Sequence, residues 1–196
     1  LRSVNQLGWL EGSATPVYVF PNYAIGASDA EMIFQPEHYS PAVQSLHTQG
    51  TLSHWKFNVV NLCAGNPYLV FPLCTAFTGP LLKAVGMDSF GFHLYGHSSR
   101  GKTTALQVAA SVWGCGADAS NPECSHIRPW NATGNAMEGL ASGYNDNFLP
   151  LDEMGTYGGS DFGKLIYNLF GGQGKARMSK EAMLKSPEIW RIVVLS

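Results

Sequence analysis

The sequence predicts an α/β fold: three layers around a mainly parallel sheet, preceded by a small β-rich and helical N-terminal region. Three observations predict it. The apolar run Phe90 to Tyr95 passes directly into Gly96-His97-Ser98-Ser99-Arg100-Gly101-Lys102-Thr103, the spacing G-x-x-x-x-G-K-[ST] of a phosphate-binding loop. Two further apolar runs, 148–151 and 190–195, alternate with helical patterns, as parallel strands do. The first of these runs stops in adjacent carboxylates, Asp152 and Glu153.

Each element has a local reason. In residues 1–36, Val17-Tyr18-Val19-Phe20 and Met32-Ile33-Phe34 are rich in strand formers, and Pro21-Asn22 and Pro36 stop them. Trp9 reads as a packing residue. Ser40-Pro41 opens a short helix, with Ser40 as cap. A second helix is predicted over 52–64, where Leu52, Trp55, Val59 and Leu62 fall on one face. Asn66-Pro67 caps a third, running to Val85 with a kink at Pro72.

Beyond the glycine loop, Ala105, Val108, Ala109 and Val112 recur at helical spacing up to Gly114, and 114–128 reads as loop. Thr133 caps a helix whose shared face is Ala136, Met137, Leu140, Ala141 and Tyr144. Ser160 or Asp161 caps another, with Phe162, Leu165, Ile166, Leu169 and Phe170 inward. Trp190 to Ser196 reads as the last strand.

The chain has 196 residues, room for one sizeable domain or a domain with an appendage. The pattern divides it into a β-rich region, 1–50, and a core, 51–196. Both ends read as cut from something longer. Charged residues make up 13% of the chain against 45% hydrophobic, which permits a large core. Net charge is −2 with no basic block or stripe, so no nucleic-acid footprint is visible; DNA contact would need local charge, an oligomer or a neighbouring domain. No charge occurs between Lys56 and Lys83, but prolines and asparagines interrupt that stretch, which predicts two buried helices and no membrane span.

Of the four cysteines, Cys63 and Cys74 lie in apolar runs and read as core residues. Cys115, Cys124 and His126 lack a fourth ligand for zinc and read as loop residues. Reduced thiols and a cytoplasmic location are expected.

The chemistry follows from residue type. Gly96 and Gly101 allow backbone angles that turn successive N–H groups of His97, Ser98, Ser99 and Arg100 towards one anion. The next helix adds its N-terminal dipole. Lys102 can reach β- and γ-phosphates, and the Thr103 hydroxyl can ligand magnesium. An acid at the end of a parallel strand can hold the same ion through water, which assigns Asp152. Glu153 beside it can take a proton from the attacking water. Pro150 counts against a central strand, because it donates no ladder bond. Arg177 is a candidate phosphate contact or a solvated turn residue, and Ser196 stands where a polar sensor would approach the γ-phosphate.

This order of elements looks like the phosphate-loop NTPase sandwich of ATPases that carry a catalytic glutamate after the magnesium-binding acid. The run GFHLYGHSSRGKTTALQVAASVWG resembles the family of domain of unknown function 927, helicase-like ATPases of bacterial mobile elements. So do WNATGNAMEGLASGYNDNFLPLDEMG, GKARMSKEA with WRIVVLS, and the early LGWLEGS and VFPNYAIG. The resemblance implies an ATP- and Mg2+-using module of a larger replication or helicase-type protein, with Gly96, Gly101, Lys102, Thr103 and Thr104 as its phosphate-loop positions and Asp152 and Glu153 as its acidic pair. The family's usual Thr-Gly-Glu-like turn after the last strand is missing. Competing expectations are a nucleotide-gated interaction module with little hydrolysis and, ranked lower, a small-molecule kinase. A homo-oligomer in which a neighbour supplies an arginine is a further expectation.

Overall fold

The computed structural model describes residues 2–13, 15–26, 32–35, 41–178, 184–185 and 187–196. The N-terminal region is built of short strands. β1 (Arg2–Val4) pairs in parallel with β5 (Met32–Phe34), while β2 (Gly8–Trp9), β3 (Tyr18–Val19) and β4 (Ala24–Ile25) form an antiparallel meander. Val4, Leu7, Val17, Val19 and Ala24 make its core with Leu46, and Trp113 packs against it. Trp9 is a packing residue: its ring meets Tyr18 edge-on at 5.1 Å and its indole donates to the carbonyl of Pro80. Pro36 and Ser40 lie outside the described residues.

Helix α1 (Pro41–Ser45) leads to α2 (Leu52–Trp55), a π-helical turn (Lys56–Val60) and α3 (Asn61–Cys63). Then come α4 (Pro67–Ala76) and α5 (Leu81–Val85). Asn66 caps α4 as expected, its side chain accepting from the N–H of Tyr68. The third predicted helix is two helices, because the chain turns through Thr78 to Pro80 between them. The expected burial of this region holds on one side only. Pro72, Leu73, Thr75 and Ala76 face inward, but Phe57, Leu62 and Tyr68 are 71, 73 and 83% exposed. Nothing among the described residues covers their outer face. Cys63 is buried as expected and Cys74 is exposed.

β6 (Phe90–Phe92) precedes the glycine loop and α6 (Lys102–Ala110) follows it. Then come β7 (Arg128–Pro129), α7 (Gly134–Gly143), β8 (Asn147–Asp152), α8 (Phe162–Phe170) and the hairpin pair β9 (Arg177–Met178) and β10 (Leu184–Lys185). β11 (Ile192–Leu195) closes the order. The central sheet runs β6-β11-β8-β7, and every pairing in it is parallel. All four carboxyl ends therefore share one edge.

Alternation along the strands sends side chains to both faces of this sheet. Val193, Leu195 and Phe148 pack with Ala76, Leu106, Ala109 and Ala110 of α4 and α6. Ile192, Val194, Leu149 and Leu151 pack with Met137, Ala141, Leu165 and Leu169 of α7 and α8. The chain is thus a mixed α/β structure with a parallel sheet between helices. β8 is a central strand despite Pro150. That residue falls where the β11 pairing ends and just before the β7 pairing begins, so its missing donor removes at most one ladder bond. β6 differs from the buried strand expected: it lies at the sheet edge with Phe92 exposed.

The loop expected over 114–128 hides structure. Cys115 and Cys124 are joined in a disulfide, which corrects the expectation of reduced thiols for this pair; their Cα atoms are 5.9 Å apart. His126 is fully buried, with Nδ1 3.1 Å from Ser45 Oγ. Ser45 Oγ also meets the Tyr144 hydroxyl, which accepts from Arg128 Nε. Among the described residues no helix is long and apolar enough to cross a membrane, and no group of three or more His, Cys, Asp or Glu could hold a metal.

Burial, and secondarily the Arg128 charge, depress the His126 pKa from 6.5 to about 3. In the unfolded chain this imidazole takes a proton near pH 6.5. The stability it contributes is complete above that value and is lost as pH falls towards 3. His126→Gln should therefore lose less stability than the unaltered chain between pH 7 and pH 4.5. Urea midpoints at the two pH values measure this, and equal losses in both proteins would remove His126 as the cause.

Candidate active site

The glycine loop sits at the carboxyl end of β6, and its shape follows from three left-handed or near-extended backbone positions. Gly96 has φ 146°, Ser99 59° and Gly101 86°. Gly101 is also the residue before the first turn of α6. A Cβ at Gly96 or Gly101 would meet nothing within 4 Å, so both glycines are required for backbone angle rather than for space. The first N–H groups of α6, at Lys102, Thr103 and Thr104, have no acceptor within the helix and point out of its start.

Lys102 folds over this loop. Its ammonium donates to the carbonyl of Gly96 and to that of His97, both at 2.9 Å. His97, Ser98, Ser99, Arg100, Thr103 and Thr104 are all exposed around it. Ala105, Leu106, Ala109 and Ala110 anchor α6 in the core below.

The acidic pair stands at the same edge of the sheet. β11 separates its strand from β6: Leu195 is in register with Phe92 on one side and Pro150 on the other. Asp152 ends β8 half-buried, and its Oδ1 accepts the N–H of Glu153 at 2.8 Å. Glu153 is exposed and left-handed, with φ 57°. This turn is held by Thr156, whose N–H and hydroxyl both donate to the Glu153 carbonyl, at 2.9 and 2.7 Å. A non-glycine residue in this conformation carries strain, and such strain concentrates at functional sites.

Ser196 follows β11 between the loop strand and the acidic strand. Its N–H donates to Phe92 and its carbonyl accepts from Leu94. Its hydroxyl accepts from the indole of Trp130 at 2.7 Å. Sequence reasoning missed Trp130, for which no local pattern exists. The backbone of Arg177 pairs with Lys185 in the separate β9–β10 hairpin.

Thr103 and Asp152 carry oxygen donors, the type that magnesium takes when it binds one or two carboxylates together with substrate phosphates.

The model of a family described as "Domain of unknown function (DUF927)" matches residues 1–188. Over its whole length the chain is also similar to a solved structure titled "SCCmec type IV Cch - active helicase", with TM-score 0.76 and 22% identity. It spans 36% of that longer chain, and the likeness is one of fold. No curated protein matches.

The strained turn can be tested without any ligand. Left-handed backbone costs an L-residue about 1–2 kcal/mol. Glu153→Gly should therefore stabilise the fold by up to about 1 kcal/mol, while Glu153→Val should destabilise it by about as much. Denaturant titration of the three proteins reads both signs; equal midpoints would show that the turn stores no strain.

Proposed function

The chain belongs to the DUF927 family, and from that premise we propose that it is a module that binds ATP and hydrolyses it with magnesium. The module would belong to a larger, helicase-like replication or mobile-element protein. One observation carries the reading: a glycine loop capped by its own lysine and a strained Asp-Glu turn lie at the carboxyl edge of one parallel sheet, on strands separated only by β11. Ligands of open α/β sheets bind at that edge. In this reading the mixed α/β fold is a phosphate-loop NTPase sandwich.

In this reading the N–H groups of residues 97–104 and the Lys102 ammonium hold the phosphates. Thr103 and Asp152 hold magnesium, which supplies charge neutralisation on the phosphate oxygens. Glu153 orients and deprotonates water. It follows β8 in a left-handed conformation, and its exposure leaves it accessible to solvent. DNA is the partner class that the helicase-like reading suggests, reached through the full-length protein. Assembly with further copies belongs to the same reading.

Lys102→Ala should lose detectable ATP binding in calorimetry, since each lost charge-assisted hydrogen bond is worth about 1.5–3 kcal/mol. Affinity unchanged by Lys102→Ala would remove the loop from nucleotide binding. Glu153→Gln should keep binding and lose turnover. Turnover that rises with single-stranded DNA supports the motor reading, whereas ATP that stays intact for hours points to a nucleotide-gated interaction module.

A further inference from the structure

Trp130 stands two strands away from Ser196 in the sheet, yet the two side chains meet. Trp130 follows β7, and its indole crosses the end of β8 to donate to Ser196 Oγ at 2.7 Å. The indole is 1% exposed, and its ring meets Phe162 at 5.2 Å. Its backbone N–H donates to the carbonyl of Asp152 at 3.0 Å. One residue therefore ties the polar end of β11 to the acidic end of β8.

The direction of the side-chain bond matters. An indole N–H can only donate. Ser196 Oγ must then accept along that line, and its own hydroxyl proton is directed elsewhere. Among the described residues that proton has no acceptor. Ser196 lies past the carboxyl end of β11, between the strand that leads into the glycine loop and the strand that ends in Asp152. The Ser196 backbone is fixed at the same time by its two bonds to Phe92 and Leu94 of the loop strand.

We propose that Trp130 is a positioning residue that presets the Ser196 hydroxyl as a hydrogen-bond donor to the terminal phosphate of the bound nucleotide. The inference rests on the ATPase reading above. In the ground state the donor helps to distinguish a triphosphate from a diphosphate. During hydrolysis it meets charge developing on the same oxygens, without reorganising first.

The test is a double-mutant cycle on Trp130→Phe and Ser196→Ala, with Ser196→Thr as the conservative control. Two quantities are read: kcat, and the affinity for a non-hydrolysable ATP analogue relative to ADP. Ser196→Ala should lower both about tenfold, as expected for one hydrogen bond to a charged oxygen. Ser196→Thr should keep most of each. Trp130→Phe keeps an aromatic ring and removes the N–H. It should lower both quantities several-fold alone and have no effect on top of Ser196→Ala, because the group it positions is then gone.

An equal effect of Trp130→Phe in both backgrounds overturns the proposal, since the ring would then act through packing. Wild-type values in Ser196→Ala overturn it too. If Lys102→Ala abolishes binding while Ser196→Ala changes nothing, the ATPase reading stands and this inference fails alone. No binding of either nucleotide to the unaltered chain overturns both.

Discussion

The close approach of β6 to β11 at Gly91 constrains how the glycine loop is attached to the sheet. A Cβ there would lie 2.8 Å from Phe170 Cζ and 2.9 Å from both Cβ and carbonyl oxygen of Val194. Those are contacts that real side chains do not make. β6 can approach β11 under the end of α8 only because this position has no side chain. The register that follows, Gly91 opposite Val194 and Phe92 opposite Leu195, sets where the strand ends and the glycine loop begins. It also sets how far Ser196 projects past the sheet. The placement of the glycine loop and that of the hydroxyl beside it therefore both follow from the register that this glycine permits.

A second set of contacts ties the N-terminal strands to this core at the sheet's opposite edge. Asp146 is left-handed and nearly buried, and its Oδ2 accepts from the N–H of Trp9 and from the Asn145 amide. Its carbonyl accepts from Tyr18 Oη, and Arg191 stands 3.6 Å from its Oδ1. Burial pushes the Asp146 carboxyl above the usual carboxylate range, with the Trp9 N–H and Arg191 opposing that shift. Asn145 completes the joint by donating to Leu7 and accepting from Arg191. The two edges of the sheet are thus specialised: one gathers exposed polar groups, the other fastens a neighbouring layer with buried ones.

Features with a local cause were legible in the sequence. Thr133, Asn66 and Asp161 cap their helices as their chemistry predicts, and the inward face of α8 follows its spacing. The glycine loop and the acidic pair could be located from residue type alone. What could not be read depends on distant partners. His126 looks like a loop histidine until Ser45 and Tyr144 close around it. Trp130 looks like an ordinary core aromatic until Ser196 reaches it. The apolar run from 57 to 82 looks buried throughout, because hydropathy reports a side chain's preference and not whether this chain supplies a cover. The split between α4 and α5 was similarly hidden, since a proline can begin a helix as readily as bend one.

The Lys102 bonds to the carbonyls of Gly96 and His97 hold the lysine as a plug over its own loop. Under the proposed nucleotide reading, a phosphate would exchange with these two carbonyls rather than enter a bare cationic hole. Binding is then a trade of hydrogen bonds, so its net favourable enthalpy is smaller than the number of final contacts suggests. The plug also restrains the lysine before ligand arrives, which lowers the entropy cost of ordering that long side chain. Weak anions gain little from such an exchange. Under the same reading, a polyphosphate that engages the lysine and the helix start together would gain more, and selection for long phosphate chains would precede recognition of any base or sugar.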